Sequence, residues 1–178
     1  VTDDKSVMSI IDNTDFANNL PNNSIVIDMS STKPITSKKV QKSLKENGVD
    51  FLDAPVSGGT KGAEEASLAI MVGGNQKVFN KVKKIFKTMG NAKIVGPTGS
   101  GQVAKLANQI IVGVTIGAVA EAIHLCRISG TDPHKFIKAV EGGFADSNIL
   151  RIHGKKMIKK FFLTGGTNLI KIKFVGLY

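Results

Sequence analysis

Lys105, Asn108 and Gln109 stand at i, i+3 and i+4 in the longest helical pattern of the sequence. That spacing puts a cation and two amides on one face of a helix. Gly99 and Gly101 precede them and bare the backbone N–H groups of the helix start, an end that attracts anions. A Lys can hold or move a proton, and amides can orient an oxygen. Together these groups suit a small substrate with a carboxylate and a carbonyl or hydroxyl oxygen. Taken alone, three polar helix residues usually just meet water.

A second stretch shifts that balance: Asp53-Ala54-Pro55-Val56-Ser57-Gly58-Gly59. Gly58 and Gly59 let a backbone approach a ligand closely. Their N–H groups can form an anion nest, and the Ser57 hydroxyl adds a donor. Ser-Gly-Gly also fits a plain turn.

The elements that must position these groups are legible in outline. Asp3 and Asp4 open a helix. Ser24–Asp28 and Val49–Leu52 read as short strands of a buried parallel sheet, with a helix through Val40 and Leu44 between them, ended at Asn47-Gly48. Ser67–Val72 and Asn91–Val95 read as two more strands. The helix between them shows Val78, Val82, Ile85, Phe86 and Met89 on its apolar side. This rhythm predicts a doubly wound α/β sheet, in which ligands bind at the carboxyl ends of the strands. Ser30 and Ser31 lie just past one such end, and Ser57-Gly58-Gly59 just past the next. From Gly99 on only helices are expected: one to about Ile128, closed by Ser129-Gly130, one opened by Thr131-Asp132-Pro133, and one over about Ser147–Lys160. The predicted domains are therefore 1–98, α/β, and 99–178, all-helical.

Composition is that of a globular protein: 178 residues, 42% apolar and 21% charged. The single cysteine, Cys126, excludes an intramolecular disulfide and a zinc cluster, reads as a core residue, and fits a reducing, cytoplasmic compartment. His124, His134 and His153 lack metal-ligand spacing, so no metal is expected. No apolar run reaches the length of a membrane span, and no membrane partner is expected. The net charge of +10 is uneven: residues 99–178 carry 11 basic and 4 acidic side chains. Arg151, Lys155, Lys156, Lys159, Lys160, Lys171 and Lys173 could form a face for nucleic acid. No nucleic-acid motif accompanies them, and they read as a solvated face. Gly99-x-Gly101-x-x-Ala104 imitates the dinucleotide fingerprint, but no strand follows its helix.

Three motifs in order resemble the β-hydroxyacid dehydrogenases, the family of 3-hydroxyisobutyrate dehydrogenase and tartronate semialdehyde reductase. Asp53–Gly59, running on through Leu68–Gly74, looks like the family's substrate-binding motif. Gly99-x-Gly101-x-x-x-Lys105-x-x-Asn108 looks like its catalytic motif, and Ile27–Ser31 like its strand-end cofactor contact. Lys105-Leu106-Ala107-Asn108-Gln109 and Glu141–Ser147 look most like the tartronate semialdehyde reductase branch.

The resemblance implies a partial Rossmann domain binding NAD or NADP, then a helical domain, and a hydride transfer to or from a small carboxylate-bearing 3-hydroxyacid or semialdehyde. It implies Lys105 as catalytic acid/base, and Ser57, Gly58, Gly59, Asn108 and Gln109 as substrate contacts. Val1, Thr2, Ser6 and Ser31 would contact the cofactor. A gapless extension adds Lys173, though Phe174 then stands where the family has Asp. The family's Gly-x-Gly-x-x-Gly turn would precede Val1, Ala66-Ser67 replaces a usual Gly-Thr, and the match decays after Phe162. The chain reads as a fragment, inactive by itself and prone to self-associate as a homo-oligomer. A second reading is a non-catalytic binding module that uses the basic face for a nucleic-acid or protein partner.

Overall fold

A computed structural model of the chain describes residues 1, 3–13, 16 and 19–159. Thr2, Lys173 and the divergent stretch from Leu163 lie outside the described residues. Two compact units result, Val1–Ala107 and Asn108–Tyr178. The border between these units falls inside the long helix.

The first unit runs α1 (Asp4–Ile11), β1 (Ile25–Asp28), α2 (Pro34–Glu46), β2 (Asp50–Asp53), β3 (Val56–Ser57), α3 (Gly59–Glu64), β4 (Leu68–Gly74), α4 (Gln76–Lys87), β5 (Gly90–Gly96), and then the start of α5 (Ser100–Ile128). Strand residues alternate between faces. Leu52, Ile70 and Val72 therefore meet Val78, Phe79, Val82 and Phe86 of α4 on one side. Phe51 meets Val7 and Ile11 of α1 and Val40 and Leu44 of α2 on the other. On α4 it is Phe79 that is buried and stacked on Phe86, whereas Ile85 is 55% exposed. Val78, Val82 and Phe86 are buried as expected, and the stripe differs only at its edge.

The sheet is mixed, which corrects the expectation of a parallel one. β1 and β2 are parallel, as are β4 and β5. β2 and β3 both run antiparallel to β4, in one shared register: Asp53 faces Gly73, and Val56 faces Ile70. They are one strand interrupted at Ala54-Pro55, and the Pro55 carbonyl still accepts from Met71 N at 3.0 Å. The cause is the short connection from Ser57 to Leu68, with a one-turn helix. A parallel crossover needs a dozen residues or more, so the chain turns back on itself.

That connection closes with a Schellman motif: Ser67 N donates to Gly62 O at 2.8 Å, and Ala66 N to Ala63 O at 3.3 Å. Ala66 occupies the left-handed position, φ +51°, where glycine is the usual residue.

In the second unit, α5 continues to Ile128, followed by α6 (Pro133–Ala139), a π-turn (Leu150–Gly154) and α7 (Lys155–Ile158). Val119, Ile123, Ile137 and Leu150 form its core, with Cys126 also buried. Asp132 caps α6 by accepting from His134 N, as the Thr-Asp-Pro sequence requires. Of the described basic residues in this region, Lys155, Lys156 and Lys159 are exposed. Among the described residues α5 is the one helix long and apolar enough to cross a membrane, by length and composition only. Its sequence does not advertise this, because polar residues break the apolar run.

Two substitutions test these local readings. Ala66→Gly should stabilise the chain by about 0.5–1 kcal/mol, because relief of the left-handed strain exceeds the entropy cost of glycine. Gly101→Ala should destabilise it by about 2 kcal/mol although alanine is the better helix former. A Cβ there would lie 2.5 Å from Met71 O and 2.7 Å from Asp53 O. Urea unfolding of the two variants reads both signs.

Candidate active site

The site is built around the end of β2. Asp53 is fully buried, and its side chain turns to the start of α5. Gly99 N donates to Asp53 Oδ1 at 2.8 Å and Gln102 N to Oδ2 at 3.0 Å. The carboxylate thus caps a helix that begins 47 residues later in the chain. Space for it exists because residues 73 and 101 are glycines: a Cβ on Gly73 would lie 2.5 Å from Asp53 Oδ1. Burial pushes the Asp53 carboxyl above its usual range, against the pull of the two amides.

This arrangement overturns one expectation. The N–H groups at the start of α5 do not await a substrate anion; Asp53 already takes them. A second carboxylate there would meet like charge.

Gln102 is 1% exposed, and its side-chain amide bridges to the loop after β1. Gln102 Oε1 accepts from Thr32 N at 3.0 Å, and Nε2 donates to Ser30 O at 2.9 Å. The same loop meets the chain's first residues. Val1 N lies 3.2 Å from Ser30 Oγ, and Asp4 Oδ1 accepts from Lys33 N at 2.9 Å and from Thr36 Oγ1 at 2.6 Å. Burial works against the Asp4 charge, but these donors win and hold its carboxyl below the usual value.

Lys105 follows one turn later, at 9% exposure. Val103 between them is 54% exposed, so the buried face of the helix start is the one that carries Gln102 and Lys105. Burial pushes the Lys105 ammonium below its ordinary value. Ser57, at the end of β3, is half-buried; Gly58 and Gly59 are exposed, with φ +140° and +64°. A Cβ on Gly59 would meet nothing within 4 Å, so the backbone there is open to a ligand.

The contacts link elements that carry residues singled out from the sequence. Val1 meets Ser30 of the loop after β1, and the helix start that carries Lys105 is fastened through Asp53 to β2. Ser6 sits in the first turn of α1 with its amide donated to Asp3 Oδ1. Asn108 and Gln109 open the second unit, where Asn108 Nδ2 donates to Gln109 Oε1 at 3.0 Å. Sequence reasoning gave Asp53 and Gln102 no role. The available signals were a carboxylate closing an apolar strand, and an amide on the buried stripe of a helix start.

A nucleotide-binding α/β layer with polar loops at the carboxyl ends of its strands defines a dinucleotide-binding class of fold. The chain belongs to the β-hydroxyacid dehydrogenase family: it matches the NAD binding domain of 6-phosphogluconate dehydrogenase over residues 1–113 and the NAD-binding region of NADP-dependent 3-hydroxyisobutyrate dehydrogenase over residues 99–173. It is 49% identical over 141 residues to 2-hydroxy-3-oxopropionate reductase of Escherichia coli, covering 79% of this chain and 48% of the relative. A probable mitochondrial 3-hydroxyisobutyrate dehydrogenase-like protein of Arabidopsis thaliana is 34% identical, covering 86% and 51%. The solved 3-hydroxyisobutyrate dehydrogenase of Mycobacterium tuberculosis with L-serine superposes with a TM-score of 0.84 at 26% identity, over 99% of this chain and 63% of that one. The chain spans about half the length of the curated relatives it matches.

The buried lysine carries a stability consequence. Its folded pKa lies below the unfolded value, so the unfolded chain binds more protons between the two values. Stability from this group is complete above the unfolded value and lost as pH falls through the folded one. Lys105→Met should therefore melt higher than wild type at pH 7, and the gap should close as pH rises toward the ordinary lysine value. Thermal melts of both proteins across that range check it.

Proposed function

We propose that this chain belongs to an NAD(P)-dependent 3-hydroxyacid oxidoreductase, with a small semialdehyde of the 2-hydroxy-3-oxopropionate type as the substrate reduced. The observation that carries the reading is Lys105: a buried lysine with a weakened ammonium, on a helix start fastened to the strand that leads to Ser57-Gly58-Gly59. The 49% identity to the E. coli reductase supports the substrate class.

The residues present fit part of the cofactor. The loop after β1 offers Ser31, next in sequence to the Ser30 that Val1 meets, at the strand end where such folds take ligands. They do not offer a pyrophosphate site at α5, since Asp53 occupies that helix end. The nicotinamide, when bound, supplies hydride chemistry at the substrate carbon. The chain's own residues do the rest. The Ser57 hydroxyl and the amides of Gly58 and Gly59 hold the substrate carboxylate. Lys105 donates its Nζ proton to the carbonyl oxygen in reduction and takes it back in oxidation. Its positive charge also stabilises the negative charge that develops on that oxygen. A depressed pKa suits both directions, because the acid is stronger and the base is populated nearer neutrality. Asn108 and Gln109 orient the reacting oxygen or Lys105.

The test uses the E. coli reductase with its matching 141 residues replaced by those of this chain. Lys105→Ala should lower kcat at least about 10³-fold, from the lost proton donor and the lost charge. Lys105→Arg should rescue poorly, because a guanidinium does not release its proton near neutral pH. Steady-state kinetics, with folding checked by circular dichroism, give the answer. Activity of Lys105→Ala within tenfold of the parent protein removes Lys105 from the mechanism.

A further inference from the structure

We propose that Gln102 is a positioning residue that locks the loop Ser30–Thr32 to the first turn of α5, so that the cofactor-contact loop and Lys105 are held in one fixed register. The proposal rests on the functional reading for what that register serves, but the lock itself is a matter of geometry. One amide makes both bonds: Oε1 accepts from Thr32 N at 3.0 Å, and Nε2 donates to Ser30 O at 2.9 Å. The two bonds run in opposite senses to two residues of one loop. They therefore fix its rotation as well as its distance, which a single hydrogen bond leaves free.

The far side of the residue is fixed too. Gln102 N donates to Asp53 Oδ2 at 3.0 Å, so the backbone of this residue binds the last residue of β2 while its side chain binds the loop after β1. β1 and β2 are paired at those ends, Asp28 beside Asp53. It is nearly fully buried, so water does not replace either bond without opening the packing. Lys105 lies three residues on and shares the buried face, so any slip or rotation of the helix start that lengthens the Gln102 bonds also moves Nζ.

The loop so held is the one that carries Ser31. It is braced on its other side by Val1 against Ser30 Oγ and by Asp4 against Lys33 and Thr36. From the α5 side, the Gln102 amide engages it through both of its polar atoms. A hydride transfer tolerates little error between cofactor and substrate, so a shared register of the two has a direct use.

The experiment uses the full 178-residue chain. Gln102→Met keeps the side chain's length and removes both bonds. Thr32 amide exchange is followed by NMR, and Lys105 titration by competitive amine labelling across pH with mass spectrometric readout. Val82→Ala on α4, remote in sequence from both loop and helix start, is the control for general loss of stability. The expected result is at least about tenfold faster exchange at Thr32 and a Lys105 midpoint moved up toward the ordinary lysine value, with the wild-type midpoint kept in Val82→Ala. A Lys105 midpoint in Gln102→Met unchanged from wild type overturns the proposal, and so does an equal shift in the control. If Gln102→Met does not fold, Gln102→Asn decides on the same readouts: its shorter amide keeps at most one of the two bonds. The two readings fail separately. Retained activity of Lys105→Ala sinks the functional reading and leaves the coupling standing; an unmoved Lys105 midpoint sinks the coupling alone.

Discussion

The contact on which this structure turns is the Asp53 carboxylate at the start of α5. Helix ends leave N–H groups unpaired, and a buried end without acceptors is costly. Here the acceptor comes from β2, 46 residues before Gly99. Much of the surrounding sequence follows from seating that carboxylate. Gly73 and Gly101 are glycines because a Cβ on either would meet the Asp53 oxygens at under 3 Å. Gly99, at φ +92°, brings its amide round to Oδ1 while its backbone passes close to Pro34. Asp53 is also the residue from which the chain leaves β2 toward Ser57. One side chain thereby fixes the helix start that bears Lys105 against β2, the strand from which the chain runs on to the glycine pair.

Two buried ionisable groups stand in the same helix start, and burial acts on them in opposite senses. It raises the Asp53 carboxyl and lowers the Lys105 ammonium, in each case favouring the neutral form. For Asp53 the sign of the linkage is the reverse of the ordinary carboxylate. Its contribution to stability is full below the unfolded value and lost as pH rises through the folded one. Both groups are thus held at some cost near neutral pH. For Asp53 the return is structural, two satisfied amides and a fixed helix. For Lys105 the desolvation is the dominant influence on the ammonium, and a buried lysine held at that cost is what the proposed function would explain.

How much of this was legible in the sequence varied with the range of the interaction. Local signals read well. Asp3 capping α1, Asp132 before Pro133, and Gly48 and Gly130 closing helices all act within four residues. The four expected strands, β1, β2, β4 and β5, lie within two residues of their observed ends, because short apolar runs between turn signals mark them; the two-residue β3 was read as part of a loop. The direction of β4 was not legible, since the doubly wound pattern assumes a crossover and the short Gly58–Ser67 link does not allow one. The face of α4 was legible in Val78, Val82 and Phe86, but not at its edge, where tertiary packing buries Phe79 and leaves Ile85 exposed. The site was legible as two motifs, but not their joint. Asp53 and Gln102 act across 46 to 72 residues of sequence, and spacing carries no trace of a contact that long.

The correction at α5 also sharpens how a carboxylate substrate would be recognised. A helix N-terminus is a ready anion site only while its amides are free. Once Asp53 occupies them, the favourable field of the helix end is largely neutralised, and Lys105 is the positive group left on the first two turns of α5. Under the proposed function, recognition of the carboxylate would then fall to Ser57, Gly58 and Gly59, whose positive-φ glycine backbone faces open space at Gly59. In the proposed reaction the work would divide by chemistry: backbone and hydroxyl donors on one strand end would bind a charge that does not change. A single buried ammonium on the helix would meet the oxygen whose charge does. A lysine freed of carboxylate binding keeps its pKa governed by burial, and a proton-transferring group gains most from that independence.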